Sequence, residues 1–84
     1  MKYASIVRTH VEYGAEPKTH VLVEIFDVLG PGLRRRVDAL DMSYDGATDN
    51  YGLMKAAVET RLREANVLGP AESVLTEPEA RGLS

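Results

Sequence analysis

The chain has 84 residues, no cysteine and a formal net charge of −3, with 10 Lys and Arg against 13 Asp and Glu. A chain of this length forms one domain that buries only about 60–65% of its unfolded surface, so a deep substrate cavity is not expected. The lack of cysteine excludes disulfides, thiolate zinc sites and cysteine nucleophiles, and the small negative charge argues against nucleic-acid binding over the whole surface.

The first thirty residues predict a β-hairpin of two strands, residues 3–13 and 19–29. The intervening "GAEPK" contains the turn formers Gly14 and Pro17. Side chains alternate between the two faces of a strand, so direct pairing assigns each residue to a face. The predicted inner face pairs Val11 with Val21, Thr9 with Val23 and Val7 with Ile25. The predicted outer face pairs Arg8 with Glu24, Glu12 with His20 and Ile6 with Phe26.

A second turn is predicted at "GPG", residues 30–32, and it leads into a third strand, residues 33–43. Direct pairing then sets Leu29, Asp27, Ile25 and Val23 opposite Leu33, Arg35, Val37 and Ala39. A helix is the alternative, because Leu33, Val37 and Leu40 also recur at helical spacing. We favour the strand, since the apolar repeat is short and the hairpin pairs well.

A helix is predicted next, starting after one of the capping residues Thr48, Asp49 or Asn50 and ending near Asn66. One apolar stripe covers the inner sheet face. It consists of Met54, Ala57, Val58, Leu62 and Ala65. "LGP" at 68–70 ends the helix, and residues 69–84 are expected to form a tail that is either disordered or contains one short helical turn. The predicted fold class is therefore α+β, with a three-stranded antiparallel meander and one C-terminal helix (β-β-β-α) in a single domain, residues 1–68.

Two groups of polar residues carry side chains that metal or catalytic sites use. His10, His20 and Glu12 share the predicted outer face, where they could ligate zinc or act as a general base, or could simply be surface residues beside a turn. The loop containing Asp41, Asp45 and Asp49 offers oxygen ligands, but its spacing does not match a calcium-binding loop, and turn formation and capping also explain these residues. We favour the structural interpretation of both groups and expect neither a metal nor another cofactor.

Three arginines indicate an alternative function, the binding of nucleic acid. Arg8, Arg34 and Arg36 are predicted on the outer face, where they could bind phosphates as the sheets of some DNA-binding domains do. Glu12, Glu24 and Asp38 interrupt this strip and would repel phosphates. We therefore treat nucleic acid as the less favoured partner.

The predicted outer face is also unusually apolar, because one helix cannot cover both faces of a sheet. It carries Ile6, Leu22, Phe26, Val28, Leu40 and Met42. A second copy, another protein or the C-terminal tail must cover these side chains, unless the register is shifted by one residue. No stretch carries a recognisable catalytic motif, and no apolar run is long enough to cross a membrane. The sequence thus predicts a cytoplasmic, non-enzymatic protein-interaction module, a homodimer or the binder of a protein partner, with no membrane partner.

Overall fold

Three antiparallel strands form one open sheet in the computed structural model, which describes residues 1–47 and 50–82. The strands are β1 (Lys2–Glu12), β2 (Lys18–Gly30) and β3 (Leu33–Asp45), and they lie in the order β1-β2-β3. Helix α1 (Tyr51–Glu64) follows, and a short helix α2 (Glu77–Arg81) lies near the C-terminus. The predicted β-β-β-α fold is confirmed, and the alternative of a helix starting at Leu33 is wrong.

The turn between β2 and β3 contains only two residues, because β2 extends through Gly30 and pairs it with Leu33. The turn residues are Pro31 and Gly32, and Gly32 has a φ of 70°. Proline followed by a glycine with positive φ is typical of a type II turn. This position therefore favours glycine, because most residues with a Cβ atom are strained at such a φ.

The pairing of β1 with β2 differs from the prediction in two steps. Near the turn, Thr9 pairs with Val21 and not with Val23, a slip of two residues that leaves every side chain on its predicted face. A β-bulge then places an extra residue, Val7, between the paired positions Ile6 and Arg8. A one-residue insertion reverses the faces of the residues before it. Ile6 therefore lies on the inner face with the core, and its predicted outer position is wrong.

The pairing of β2 with β3 also differs from the prediction, because it contains a second bulge. Asp27 pairs with Arg35 as predicted, but the register shifts between Ile25 and Phe26 because Val37 is an extra residue on β3. Beyond the bulge, Val23 pairs with Leu40 and not with Ala39. Leu40, Met42 and Tyr44 consequently pack against the core, while Asp41 and Ser43 are exposed. The shift is favourable because it buries apolar side chains and leaves the carboxylate in water.

The core lies between β2 and α1. Val21, Val23 and Ile25 of β2 are at most 1% exposed, and they meet three buried residues of α1, namely Met54, Val58 and Leu62. Fully burying side chains of this size contributes about 1.5–3 kcal/mol each. The predicted helix stripe therefore covers the inner sheet face, although Ala65, its last predicted member, is exposed.

Helix α1 is capped by Asn50, whose side chain accepts a hydrogen bond from the backbone N–H of Leu53 at 3.1 Å. The other two predicted capping residues, Thr48 and Asp49, lie outside the described residues. The helix ends two residues earlier than predicted, because Asn66 adopts a left-handed φ of 60°. Asparagine tolerates this conformation, which is typical of the residue after a helix end. The turn directs Leu68 into the core, where it is 3% exposed.

The C-terminal segment, residues 69–82, packs against β1. Ala4 and Val74 form a parallel β-bridge, in which the N–H of Ala4 donates to the carbonyl of Ser73 at 3.2 Å and the N–H of Leu75 donates to the carbonyl of Ala4 at 2.8 Å. Val74 is fully buried. Helix α2 then starts at Thr76 with a capping box, in which Thr76 and Glu79 each bond to the other's backbone N–H.

Candidate interaction surface

The outer face, meaning the sheet face opposite the core and α1, carries only half of the apolar residues expected there. Leu22, Phe26 and Val28 alternate with the buried residues of β2, and all three are half-buried. Ile6, Leu40 and Met42 pack instead against the core, because the two bulges turn them to the other side. The continuous apolar patch predicted from the sequence is therefore absent from the described residues.

Part of the outer face is covered by a cluster of four residues, one each from β1, β2, β3 and α2. Tyr3 of β1 stacks on Phe26 of β2 with ring centroids 5.3 Å apart, and Arg34 of β3 lies with its guanidinium 5.0 Å from the centre of the Phe26 ring. Arg34 donates to the Tyr3 hydroxyl at 2.7 Å and to both carboxylate oxygens of Glu77 at 2.8 and 3.2 Å. This cluster leaves Tyr3 only 1% exposed.

The charges within this cluster stabilise each other. The hydrogen bond and charge of Arg34 lower the pKa of Glu77, and the hydrogen bonds to Glu77 and Tyr3 raise the pKa of Arg34. A bidentate pair of this type has a defined geometry as well as opposite charge. Glu77 therefore holds α2 near the outer face, beside a cleft of about 280 Å³ whose lining includes Tyr3, Val28 and Ala80.

Strand β3 contains the longest run of exposed residues in the sheet. It is an edge strand, since the sheet of the described residues ends with it, and residues 33–39 are all exposed. Large apolar side chains project along this side of the hairpin, with Leu29 56%, Leu33 63% and Val37 41% exposed. We refer to β3 together with Leu29 as the β3 surface.

The three arginines proposed for nucleic-acid binding are spread along the sheet, and two of them already form ion pairs. Arg34 pairs with Glu77, and Arg36 donates to Glu24 at 2.7 Å. Arg8 pairs with Leu22 of β2, whereas Arg34 pairs with Val28 of the same strand. These two positions of β2 are six residues apart. Six residues of strand span about 20 Å. The three arginines therefore do not form one compact basic patch.

The two histidines lie together on the outer face, as predicted. Their rings stack with centroids 6.1 Å apart, and His20 Nε2 lies 3.0 Å from a carboxylate oxygen of Glu12. All three side chains are on the surface, near the first turn. Within residues 1–47 and 50–82, no group of three or more His, Cys, Asp or Glu side chains is arranged to hold a metal ion. Asp49 of the acidic loop lies outside these residues.

The sequence interpretation missed Tyr3 and Glu77, which organise the covered part of the outer face. The start of α2 had a recognisable signal, because "TEPE" at 76–79 combines a capping box with proline in the first turn. Tyr3 had no such signal, since its face depends on the bulge at Val7.

Comparisons with protein-family models, with curated proteins and with solved structures find no match for this chain. In the part of the chain that the structure describes, none of the helices has the length and apolar character needed to span a bilayer.

Proposed function

We propose that the protein is a non-enzymatic protein-interaction module that associates with itself through the β3 surface. One observation carries this proposal: β3 is a 13-residue edge strand with exposed apolar side chains beside it. An edge strand presents unpaired backbone N–H and C=O groups, which favour pairing with another chain. Exposed apolar side chains add a gain from burial at the same place.

The proposed surface differs from the one that the sequence predicted. Three of the six apolar residues assigned to the outer face belong to the core, and the cluster around Arg34 partly covers Phe26. Leu22, Phe26 and Val28 are half-buried. Leu29, Leu33 and Val37 are more exposed, so they supply more apolar area to a partner.

Nucleic-acid binding through Arg8, Arg34 and Arg36 is supported less well. Phosphate binding needs cationic groups free to replace counterions. Arg34 and Arg36 already contact carboxylates, and Glu24 and Glu77 would lie close to any bound phosphate. A gel shift at low and moderate salt tests this alternative, which predicts a bound band that weakens steeply as salt increases.

Sedimentation equilibrium between low and high micromolar concentration tests self-association. We expect the mass of the wild-type protein to rise from one chain to two. Replacing Leu33 and Val37 together by serine should reduce this association. The matched control replaces Tyr13 and Leu53, which are 81% and 61% exposed and lie away from β3. A protein that stays monomeric at high micromolar concentration, or an equal effect of the two double substitutions, would contradict the proposed function.

A further inference from the structure

The charges of β3 are divided between its two halves. Arg34, Arg35 and Arg36 lie in the half next to the turn, and Asp38, Asp41 and Asp45 lie in the other half. All six residues are exposed. The strand is therefore positive at one end and negative at the other, with Val37 between the two blocks.

We propose that β3 pairs antiparallel with β3 of a second copy, with the two-fold axis within one residue of Val37. This inference rests on the proposed function and specifies its partner, orientation and charge pairing. Antiparallel pairing places the basic half of each strand opposite the acidic half of the other. Parallel pairing would set like charges side by side, which is destabilising. The charge pattern thus selects the antiparallel arrangement and makes the interface self-complementary, as a two-fold axis requires.

The charge complementarity holds for the central registers. An axis between Arg36 and Val37 pairs Arg35 with Asp38 of the second copy, and these two residues share the inner face of the sheet. An axis between Val37 and Asp38 sets Arg34, which also contacts Glu77, opposite Asp41 of the second copy on the outer face. Symmetry forms each such pair twice. Cross-strand pairs of opposite charge contribute roughly 0.2–1 kcal/mol each. The pairs therefore favour these registers, while backbone hydrogen bonds and apolar contacts supply the rest of the association.

Backbone groups on this edge are accessible to a second strand. The N–H of Ala39 donates to its neighbour Asp38 at 2.8 Å, and the carbonyl of Ser43 accepts from Arg61 of α1. Both hydrogen bonds are exposed to solvent. A pairing strand can replace these side chains without leaving a buried group unsatisfied. The opposite edge is occupied at Ala4, which already pairs with Val74, and its run of exposed residues, 7–10, is shorter than the run 33–39 of β3.

Charge reversal tests the inference in both directions. Asp38→Arg with Asp41→Arg leaves Asp45 as the only acidic residue of β3, and Arg35→Glu with Arg36→Glu leaves Arg34 as its only basic residue. Each variant alone should dimerise at least about tenfold more weakly than wild type, because each pairs like charges. A mixture of the two variants should form heterodimers, and all four substitutions in one chain should restore the homodimer. The matched control, Glu16→Arg with Glu64→Arg, makes the same charge change elsewhere and should dimerise as wild type does.

Ala39→Pro tests whether the backbone edge takes part. Proline removes an N–H that donates to Asp38 and is tolerated on edge strands, so the variant should remain folded by circular dichroism but lose dimerisation. If the wild type dimerises but neither the charge exchange nor Ala39→Pro has these effects, the proposed pairing is wrong and the proposed function stands. If the wild type is monomeric at high micromolar concentration, self-association itself is wrong.

Discussion

The two edges of the sheet differ in whether another part of the chain pairs with them. At the β1 edge, the C-terminal segment pairs with Ala4 and buries Val74 completely. At the β3 edge, residues 33–39 are all exposed and Val37 is 41% exposed. A row of unpaired backbone groups at a sheet edge favours pairing with another strand. The chain itself supplies such a strand at Ala4, whereas no strand of the described residues pairs with the outer edge of β3.

This difference shows where the short chain places its stabilising contacts. Val74 and Leu68 belong to the same core as β2 and α1, so the C-terminal segment adds apolar area to a thin core. The β3 edge adds little to the core beyond Leu40, Met42 and Tyr44, which are half-buried. Stability should therefore be sensitive to changes at the β1 edge, and association to changes at the β3 edge.

The largest contrast is expected for a charge introduced at each edge. Val74→Asp places a carboxylate at a fully buried site and should cost about 4 kcal/mol or more, enough to unfold a domain of this size. Val37→Asp should change the free energy of unfolding by less than about 0.5 kcal/mol, because the site is in contact with water. Urea unfolding of both variants at low concentration checks this contrast, and equal losses would mean that the edges are not distinct.

A proline introduced at each edge should give a smaller difference in the free energy of unfolding between the two variants. Leu75→Pro removes the N–H that donates to the Ala4 carbonyl at 2.8 Å, and Ala4 is fully buried, so a loss of about 1–3 kcal/mol is expected. Ala39→Pro removes an N–H that donates only to a neighbouring exposed side chain, and its effect on the isolated monomer should be below about 0.5 kcal/mol. Thermal unfolding at low concentration measures both, and a greater loss for Ala39→Pro would contradict the comparison.

A local effect is expected when the contact between β3 and α2 is removed. Arg34→Met keeps an apolar stem beside Phe26 but removes the donors to Tyr3 and Glu77. Amide hydrogen exchange in residues 77–81 should become faster, while exchange in β2 stays unchanged. Arg35→Met removes the same charge at the next residue and serves as the control. Unchanged exchange in residues 77–81 of Arg34→Met would show that this pair does not hold α2.

Acid should loosen the C-terminal segment before it unfolds the sheet, and this is the smallest expected effect. Hydrogen bonds from the backbone of Lys2 and Gly69 lower the pKa of Glu72, and Arg34 lowers the pKa of Glu77. A carboxylate whose pKa is lowered by folding stabilises the folded state above its ordinary pKa of 4.5, and this stabilisation is lost as pH falls below that value through the lowered pKa.

The measurement is amide exchange in residues 69–82 compared with β2 between pH 6 and acidic pH, after correction for intrinsic exchange. Glu72→Gln should remove part of the change. Equal loosening of both regions, or none in the C-terminal segment, would contradict the role given to these carboxylates.

The order of elements was predictable, but the register was not. Turn formers and alternating apolar residues marked the three strands, and Asn50 with the stripe around Val58 marked α1. The bulges at Val7 and Val37 carried no glycine to reveal them. One signal was available, because Leu40, Met42 and Tyr44 alternate with Asp41 and Ser43 in a pattern that places the apolar set inside. Counting the β2–β3 pairs from the predicted turn at residues 30–32 placed Leu40 and Met42 on the outer face, in conflict with this alternation. The bulge at Val37 removes the conflict.

The interaction surface was only partly predictable for the same reason. Leu22, Phe26 and Val28 were placed on the outer face correctly, since the extra residues Val7 and Val37 lie on the neighbouring strands and β2 keeps its alternation from Thr19 to Val28. Tyr3 and Glu77 meet Arg34 only through contacts between distant parts of the chain. Residue spacing cannot show that residue 74 pairs with residue 4, because that contact depends on the whole core being formed.

Hydrogen exchange of β3 at increasing protein concentration tests the central claim, that this edge binds a second copy, most directly. Backbone amides of residues 34–41 should become protected as concentration increases into the high micromolar range, because the edge groups then bond to a second strand. Residues 73–75, already paired with β1, should show no dependence on concentration and provide the internal control. Exchange in residues 34–41 that is the same at all concentrations, while the mass remains that of one chain, would contradict the account.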